Sequence, residues 1–181
     1  VWTFDDVAEQ PYSGKGKNIT TQDIRNVADA MYPRNTTRLY DTAIDAIIAQ
    51  QLEIDKSKSN IGKNRMLKNL DPTIAVMFTL LTDGEDNASF NRANDMRVTI
   101  KEHQEIYGAH CFFAAANQDA MREGERYGFT HETSLQIGQN VAEAREAFRS
   151  CTNASMRAAA GCSAGYTTAE REASCTMNDF S

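Results

Sequence analysis

Ile74-Ala-Val-Met-Phe-Thr-Leu-Leu-Thr-Asp-Gly84 decides the fold class. Its first eight residues are apolar but for one threonine and stand between Pro72 and the turn pair Asp83-Gly84. A run that short, bounded by breakers, reads as a strand of a parallel sheet, because such strands are covered on both faces and need not alternate. On this reading it is the best central strand of the chain.

Outward toward the C-terminus, Phe90 to Tyr107 mixes charged and apolar residues at helical spacing, with Met96, Ile100 and Ile106 expected inward and Gly108 as the stop. His110-Cys-Phe-Phe-Ala-Ala-Ala116 reads as a second buried strand. Asp119 to Tyr127 is a short helix closed by Gly128, Thr133 to Ile137 a last short strand, and Gln139 to about Ala160 a long helix. In that helix Val141, Ala144, Phe148 and Cys151 form a mostly small stripe expected to lie close to the sheet. Beyond Gly161 an extended tail or a short capping element is expected. Strands alternating with helices indicate an α/β, doubly wound, mostly parallel sheet, which binds ligands at the carboxyl ends of its strands.

Toward the N-terminus, Leu39, Ala43, Ile44, Ile47, Ile48 and Leu52 recur at three- and four-residue steps and predict an amphipathic helix. Residues 53–71 read as a long loop. Thr20 and Asp23 have the spacing of a helix start, and Pro33 ends that helix after Tyr32. Asp5 to Asn18 reads as a hairpin or edge-strand region. Val1-Trp-Thr-Phe4 reads as the tail of a strand that starts abruptly, so an upstream segment is expected.

Composition narrows the function. The 181 residues are 41% hydrophobic and 24% charged with a net charge of -6, as in a globular domain rather than a disordered one. Apolar runs fall far short of the roughly 20 residues of a membrane helix. The acidic balance argues against nucleic acid, which needs clustered basic residues; the nearest stretch, Lys56 to Lys68, reads as a solvated loop. Cys111, Cys151, Cys162 and Cys175 have no metal-finger spacing, and His103, His110 and His131 make no metal pair and read as surface or core residues. Gly161-Cys-Ser-Ala-Gly165 matches the pattern of a serine-hydrolase elbow by chance, because a helix precedes it and no His follows it. Sequons occur at Asn18, Asn35, Asn87 and Asn153.

Two stretches carry chemistry. Asp83 directly follows the apolar strand, where a carboxylate points into the crevice at the sheet's edge. Tyr32-Pro-Arg-Asn-Thr-Thr-Arg-Leu-Tyr-Asp41 places hydroxyls just ahead of a helix. Hydroxyl and carboxylate oxygens suit a hard cation. Together the stretches resemble the von Willebrand factor type A family: Thr37-Arg-Leu-Tyr-Asp41 is similar to its second metal-site motif and Leu81-Thr-Asp-Gly84 to its third, over roughly residues 1–160, with residues 161–181 as a tail. The family's first motif, Asp-x-Ser-x-Ser, has no counterpart here.

The resemblance implies a Rossmann-like fold that binds another protein through a metal-ion-dependent adhesion site rather than an enzyme. Thr37 and Asp83 would hold Mg²⁺ or another divalent cation, completed by an acidic side chain of the partner, and Asn35, Thr36, Glu85 and Asp86 would form the partner-binding rim. A chain without the first motif could instead serve as a metal-free structural subunit of a larger assembly. The rival from another class is a metal-dependent α/β hydrolase using Asp83.

Overall fold

The structure, a computed structural model, describes residues 2–5, 8–13, 18–30, 36–63, 75–116 and 119–176. In chain order its elements are β1 (Thr3–Phe4), β2 (Ala8–Glu9), α1 (Thr21–Ala30), α2 (Leu39–Lys63), β3 (Met77–Thr82), α3 (Ala93–Tyr107), β4 (His110–Ala116), α4 (Ala120–Tyr127), β5 (Ser134–Ile137), α5 (Val141–Ala159) and α6 (Thr168–Ser174). The expected breakers Pro33 and Pro72, the helix end at Tyr32 and the start of the apolar run at Ile74 lie outside the described residues. No helix among the described residues is long and apolar enough to cross a membrane.

The fold is α/β: a three-stranded parallel sheet in the order β3-β4-β5, flanked by helices, compatible with a Rossmann-like arrangement. A strand presents alternate side chains to opposite faces, so β4 divides the core in two. Cys111, Phe113 and Ala115 pack with Leu39, Ala43 and Ile47 of α2, Met96 and Ile100 of α3, and Tyr127 of α4. Phe112 and Ala114 pack on the other face with Leu135 of β5 and with Ala147, Cys151, Ala154 and Ala158 of α5. Tyr127 and Phe113 meet edge to face at 5.7 Å, and Phe112 meets Tyr166 likewise at 5.9 Å.

Four expectations are corrected. The central strand is β4, whose residues 111–115 are all buried. β3 is an edge among the described residues and only half covered, because topology rather than apolar content decides which strands have two neighbours. Residues 53–63 are helix, not loop: no Gly or Pro interrupts α2 before Gly62, Lys56 pairs with Glu53 at 2.7 Å, and the Tyr107 hydroxyl donates to Asp55 at 3.0 Å, binding this half to α3. Ile48, Leu52 and Ile106 are exposed because helical twist carries them away from the buried lines Leu39–Ala43–Ile47 and Met96–Ile100–His103. The stripe of α5 on the sheet is Ala147–Cys151–Ala154–Ala158, while Val141 and Phe148 face water.

Past α5 the chain packs back instead of trailing away, so the capping alternative describes it through Thr176. Arg157 makes a two-pronged ion pair with Glu170 at 2.7 and 2.8 Å. Arg171 donates to the carbonyls of His131, Ser134 and Glu132 at 2.7, 2.8 and 3.1 Å. At the other end, β1 and β2 pair antiparallel in a two-stranded sheet of their own, so the strand read at the start of the chain is one arm of a hairpin that was expected only from Asp5 onward, and the Asp5 carbonyl accepts from the Arg38 N–H at 2.8 Å.

His103 is fully buried between α2 and α3. Its Nδ1 faces the Gln51 amide nitrogen at 3.4 Å and its Nε2 the Gln50 oxygen at 2.8 Å. Because an amide nitrogen only donates, the network assigns the proton to Nε2 of a neutral ring. Gln50 in turn donates to the Met77 carbonyl of β3 at 3.1 Å. Burial holds the His103 pKa below its usual 6.5, so the unfolded chain binds the extra proton more readily than the folded one. Stability from this residue is therefore complete above pH 6.5 and declines as pH falls below it. In thermal melts between about pH 5 and 7, this decline is expected in the native chain and should be flattened in His103→Gln.

Candidate functional site

β3 ends in a tight turn: the Thr82 hydroxyl donates to the Gly84 carbonyl at 2.8 Å and accepts from the Gly84 N–H at 3.3 Å. This turn delivers Asp83 and Glu85, both exposed, to the carboxyl end of the sheet. From there to Asn91 the chain lies against the start of α2.

The opening turn of a helix has backbone N–H groups without partners inside the helix. In α2 these are satisfied by the distant loop. Asp86 accepts from the Tyr40 N–H at 3.4 Å, and the Ser89 hydroxyl accepts from the Asp41 N–H at 3.1 Å while donating to Asp86 at 2.5 Å. Just before the helix, Thr37 and Asn87 bond reciprocally: the Asn87 side-chain oxygen accepts from the Thr37 N–H at 2.7 Å, and the Thr37 carbonyl accepts from the Asn87 and Ala88 N–H groups at 3.1 Å each.

Asp41 completes the junction in the opposite direction. Its carboxylate, 5% exposed as a residue, accepts from the N–H of Phe90 at 3.0 Å, the N–H of Asn91 at 2.9 Å and the Asn91 side-chain amide at 2.8 Å. Arg38 adds an ion pair at 2.8 Å. Burial alone would raise its pKa, but the Asn91 backbone, the Arg38 guanidinium and the remaining donors outweigh it and bring the value from 3.8 down to about 2.

The structure thus brings Thr36 and Thr37, half-buried, to the same surface as the loop carrying Asp83 and Glu85, with the backbone of Thr37 bonded directly to Asn87. Asp86 belongs to this junction, where its carboxylate holds Ser89 and the start of α2. Asn35 lies outside the described residues. Of the residues that organise the site, Asp41, Ser89 and Asn91 were not singled out by sequence reasoning, and Asn87 was noted only as a sequon. Asp41 stands inside the quoted Thr37-Arg-Leu-Tyr-Asp41 stretch, but nothing local shows that its partners are 49 and 50 positions away.

No protein-family model, curated protein or solved structure matches this chain. What the site can do must therefore be argued from its own atoms. For a hard cation the proposed donors are the Thr37 hydroxyl and the Asp83 carboxylate, against the six oxygens of a Mg²⁺ shell. Among the described residues no three of His, Cys, Asp and Glu gather to hold a metal ion. Among the described residues, no buried side-chain oxygen of the loop or of Thr37 is left without a hydrogen-bond partner. The described donor set does not make up a metal site. The Gly161–Gly165 stretch offers no nucleophile elbow either: Ser163 is exposed in the turn after a helix, not at the end of a strand.

The shift at Asp41 is equivalent to about 2 kcal/mol in favour of the folded, ionised state. Because the folded pKa is depressed, this stability is present above pH 3.8 and is lost as pH falls toward 2. Asp41→Asn is expected to lower stability by about 2 kcal/mol at neutral pH, read as a lower urea midpoint at unchanged slope. Asp41→Ala, which also orphans the Phe90 and Asn91 donors, should cost more.

Proposed function

We propose that this chain is a protein-interaction module of the von Willebrand A type, docking another protein at the carboxyl edge of its sheet around Thr36, Thr37, Asp83 and Glu85, with Asn35 and Asp86 flanking. One observation carries the reading: the segment entering α2 and the loop leaving β3, nearly fifty positions apart, are bonded backbone to side chain into one surface at the end of a parallel strand. Open α/β sheets bind ligands at that edge, and the anchoring hydrogen bonds leave Asp83 and Glu85 exposed to a partner. The resemblance adds a divalent cation completed by a partner carboxylate. The described donors do not support that step, so the docking is proposed without it.

A second reading, a metal-free structural subunit of an assembly, is favoured by a separate observation. The Val76 carbonyl accepts from His110 N–H at 2.8 Å, so by alternation the backbone groups of Met77, Thr79 and Leu81 point away from β4. Among the described residues that edge carries none of the Lys, Pro or bulges with which exposed edges are usually blunted, although the Gln50 side chain donates to its Met77 carbonyl. The hydrolase reading has no comparable support, since buried His103 is bonded to two glutamine amides rather than to a nucleophile.

Asp83→Ala and Thr37→Ala separate binding from folding, because Asp83 is exposed and the Thr37 bonds described above use only its backbone. Proteins retained by the immobilised native chain are expected to be lost from both variants while their melting temperatures stay within a few degrees of native. Retention that persists in both would sink the proposed site, and retention abolished by a chelator would restore the cation.

A further inference from the structure

The two outer edges of the parallel sheet are finished differently. On β5 the Thr133 carbonyl accepts from the Phe113 N–H of β4 at 2.9 Å, so by alternation Ser134, Gln136 and Gly138 turn their backbone groups outward. The returning C-terminal segment takes up the first and last of these: the Ser134 carbonyl accepts from Arg171, and the Gly138 N–H donates to the Ser174 carbonyl, each at 2.8 Å. On β3 the outward groups are those of Met77, Thr79 and Leu81. Among the described residues the bond that reaches them is the one from Gln50 to the Met77 carbonyl at 3.1 Å, and a carbonyl oxygen keeps a second lone pair. The side chains are as incompletely covered as the backbone. Parallel strands are ordinarily buried on both faces, yet Met77, Phe78, Thr79 and Leu81 are all half-exposed, Phe78 on the α2 face and Met77 and Leu81 on the α5 face. A neighbouring strand with apolar side chains on both faces would complete them.

The strand's own sequence supplies such a neighbour. Two copies related by a two-fold axis perpendicular to the sheet at Thr79 run antiparallel. That sets Thr79 opposite Thr79, Met77 opposite Leu81 and Phe78 opposite Leu80. The outward-facing residues then fall at hydrogen-bonded pairs, each exchanging both backbone bonds, and Phe78 and Leu80 at the closer non-hydrogen-bonded pairs. Every pair matches apolar to apolar or Thr to Thr, and no like charges meet, because Met77 to Thr82 carries no charge. We propose that this chain forms a two-fold dimer by antiparallel pairing of β3 with β3 in this register, joining two three-stranded sheets into one. Because the C-terminal segment caps the β5 edge, association stops at two copies instead of growing strand by strand. The inference rests on the assembly reading above and names a second copy as its first partner.

The test is the mass of the whole chain by light scattering over a micromolar to millimolar concentration series, expected to rise from 20.1 kDa toward twice that value. Over the same series, amide hydrogen exchange at Met77, Thr79 and Leu81 should slow by about tenfold or more, while Phe78 and Leu80, whose amides face β4, stay unchanged. Met77→Lys and Leu81→Glu should each weaken the dimer by about tenfold or more. Mixing the two variants should restore it as a heterodimer, because the register brings the substituted positions face to face; melting temperatures of the separate variants check that each folds. A monomer at every concentration would overturn the inference, as would a dimer without slowed exchange at those three amides, or one that two folded variants fail to rebuild when mixed. If the chain is monomeric but Met77→Lys abolishes the retention of other proteins by the immobilised chain, the inference fails alone and a foreign strand occupies the edge. If that retention is unchanged, the assembly reading falls with it.

Discussion

A carboxylate that accepts three hydrogen bonds and an ion pair in a nearly dry place is the constraint around which the carboxyl end of the sheet is arranged. Asp41 sits in the first turn of α2, yet its bonds go to the segment that leads from β3 into α3. Burying an ion is costly unless it is paired and hydrogen-bonded, and here three of the donors come from a segment whose path must be right for the bonds to form. The reciprocal bonds complete the lock: Asp86 and Ser89 satisfy α2 while Asp41 satisfies the approach to α3. Neither segment is well terminated without the other, so the relative position of Thr37 and of the loop that begins at Asp83 is set by the same few atoms.

The remainder of the fold supplies the platform. β4 is buried along residues 111–115, and its alternation divides the apolar residues between a face lined by α2, α3 and α4 and a face lined by α5 and the returning C-terminal segment. Small residues along α5 allow close approach to the sheet, and the Arg157–Glu170 pair with the Arg171 bonds hold the last turn of chain against β5. A parallel strand ending at such a platform must throw its connection over the carboxyl edge, and the ST-type turn at Thr82–Gly84 does so in two residues. On the proposed reading, position in the fold, more than any chemical peculiarity of Asp83 itself, makes this edge the place where another molecule is met.

Much of this was legible in order along the chain. β3, β4, β5, α3, α4 and α5 follow from apolar runs, helical spacing and the glycines at 108 and 128, both left-handed at their helix ends, a conformation that glycine adopts readily. The segment before α2 and the loop after β3 were each legible, but the bonds between them run from the Thr37 backbone to Asn87 and Ala88. Less legible was α2 beyond Leu52, because its outer half carries few apolar residues and is tied down by Asp55 and Tyr107, a contact between helices. Ile48, Leu52 and Ile106 misled for a related reason: an apolar residue signals burial only if the helix presents that side to something.

Sequence alone determined the alternation of elements and the existence of an acidic turn after an apolar strand, since each depends on propensities and periods that act within a few residues. Tertiary structure decided which strand stands at the centre, how the segment from 161 to 176 returns, and that Asp41, Asn87, Ser89 and Asn91 organise the site. Those outcomes depend on hydrogen bonds and packing between residues as much as fifty positions apart, and the free energy of such a bond is realised only once the chain has already brought both partners out of water and into register.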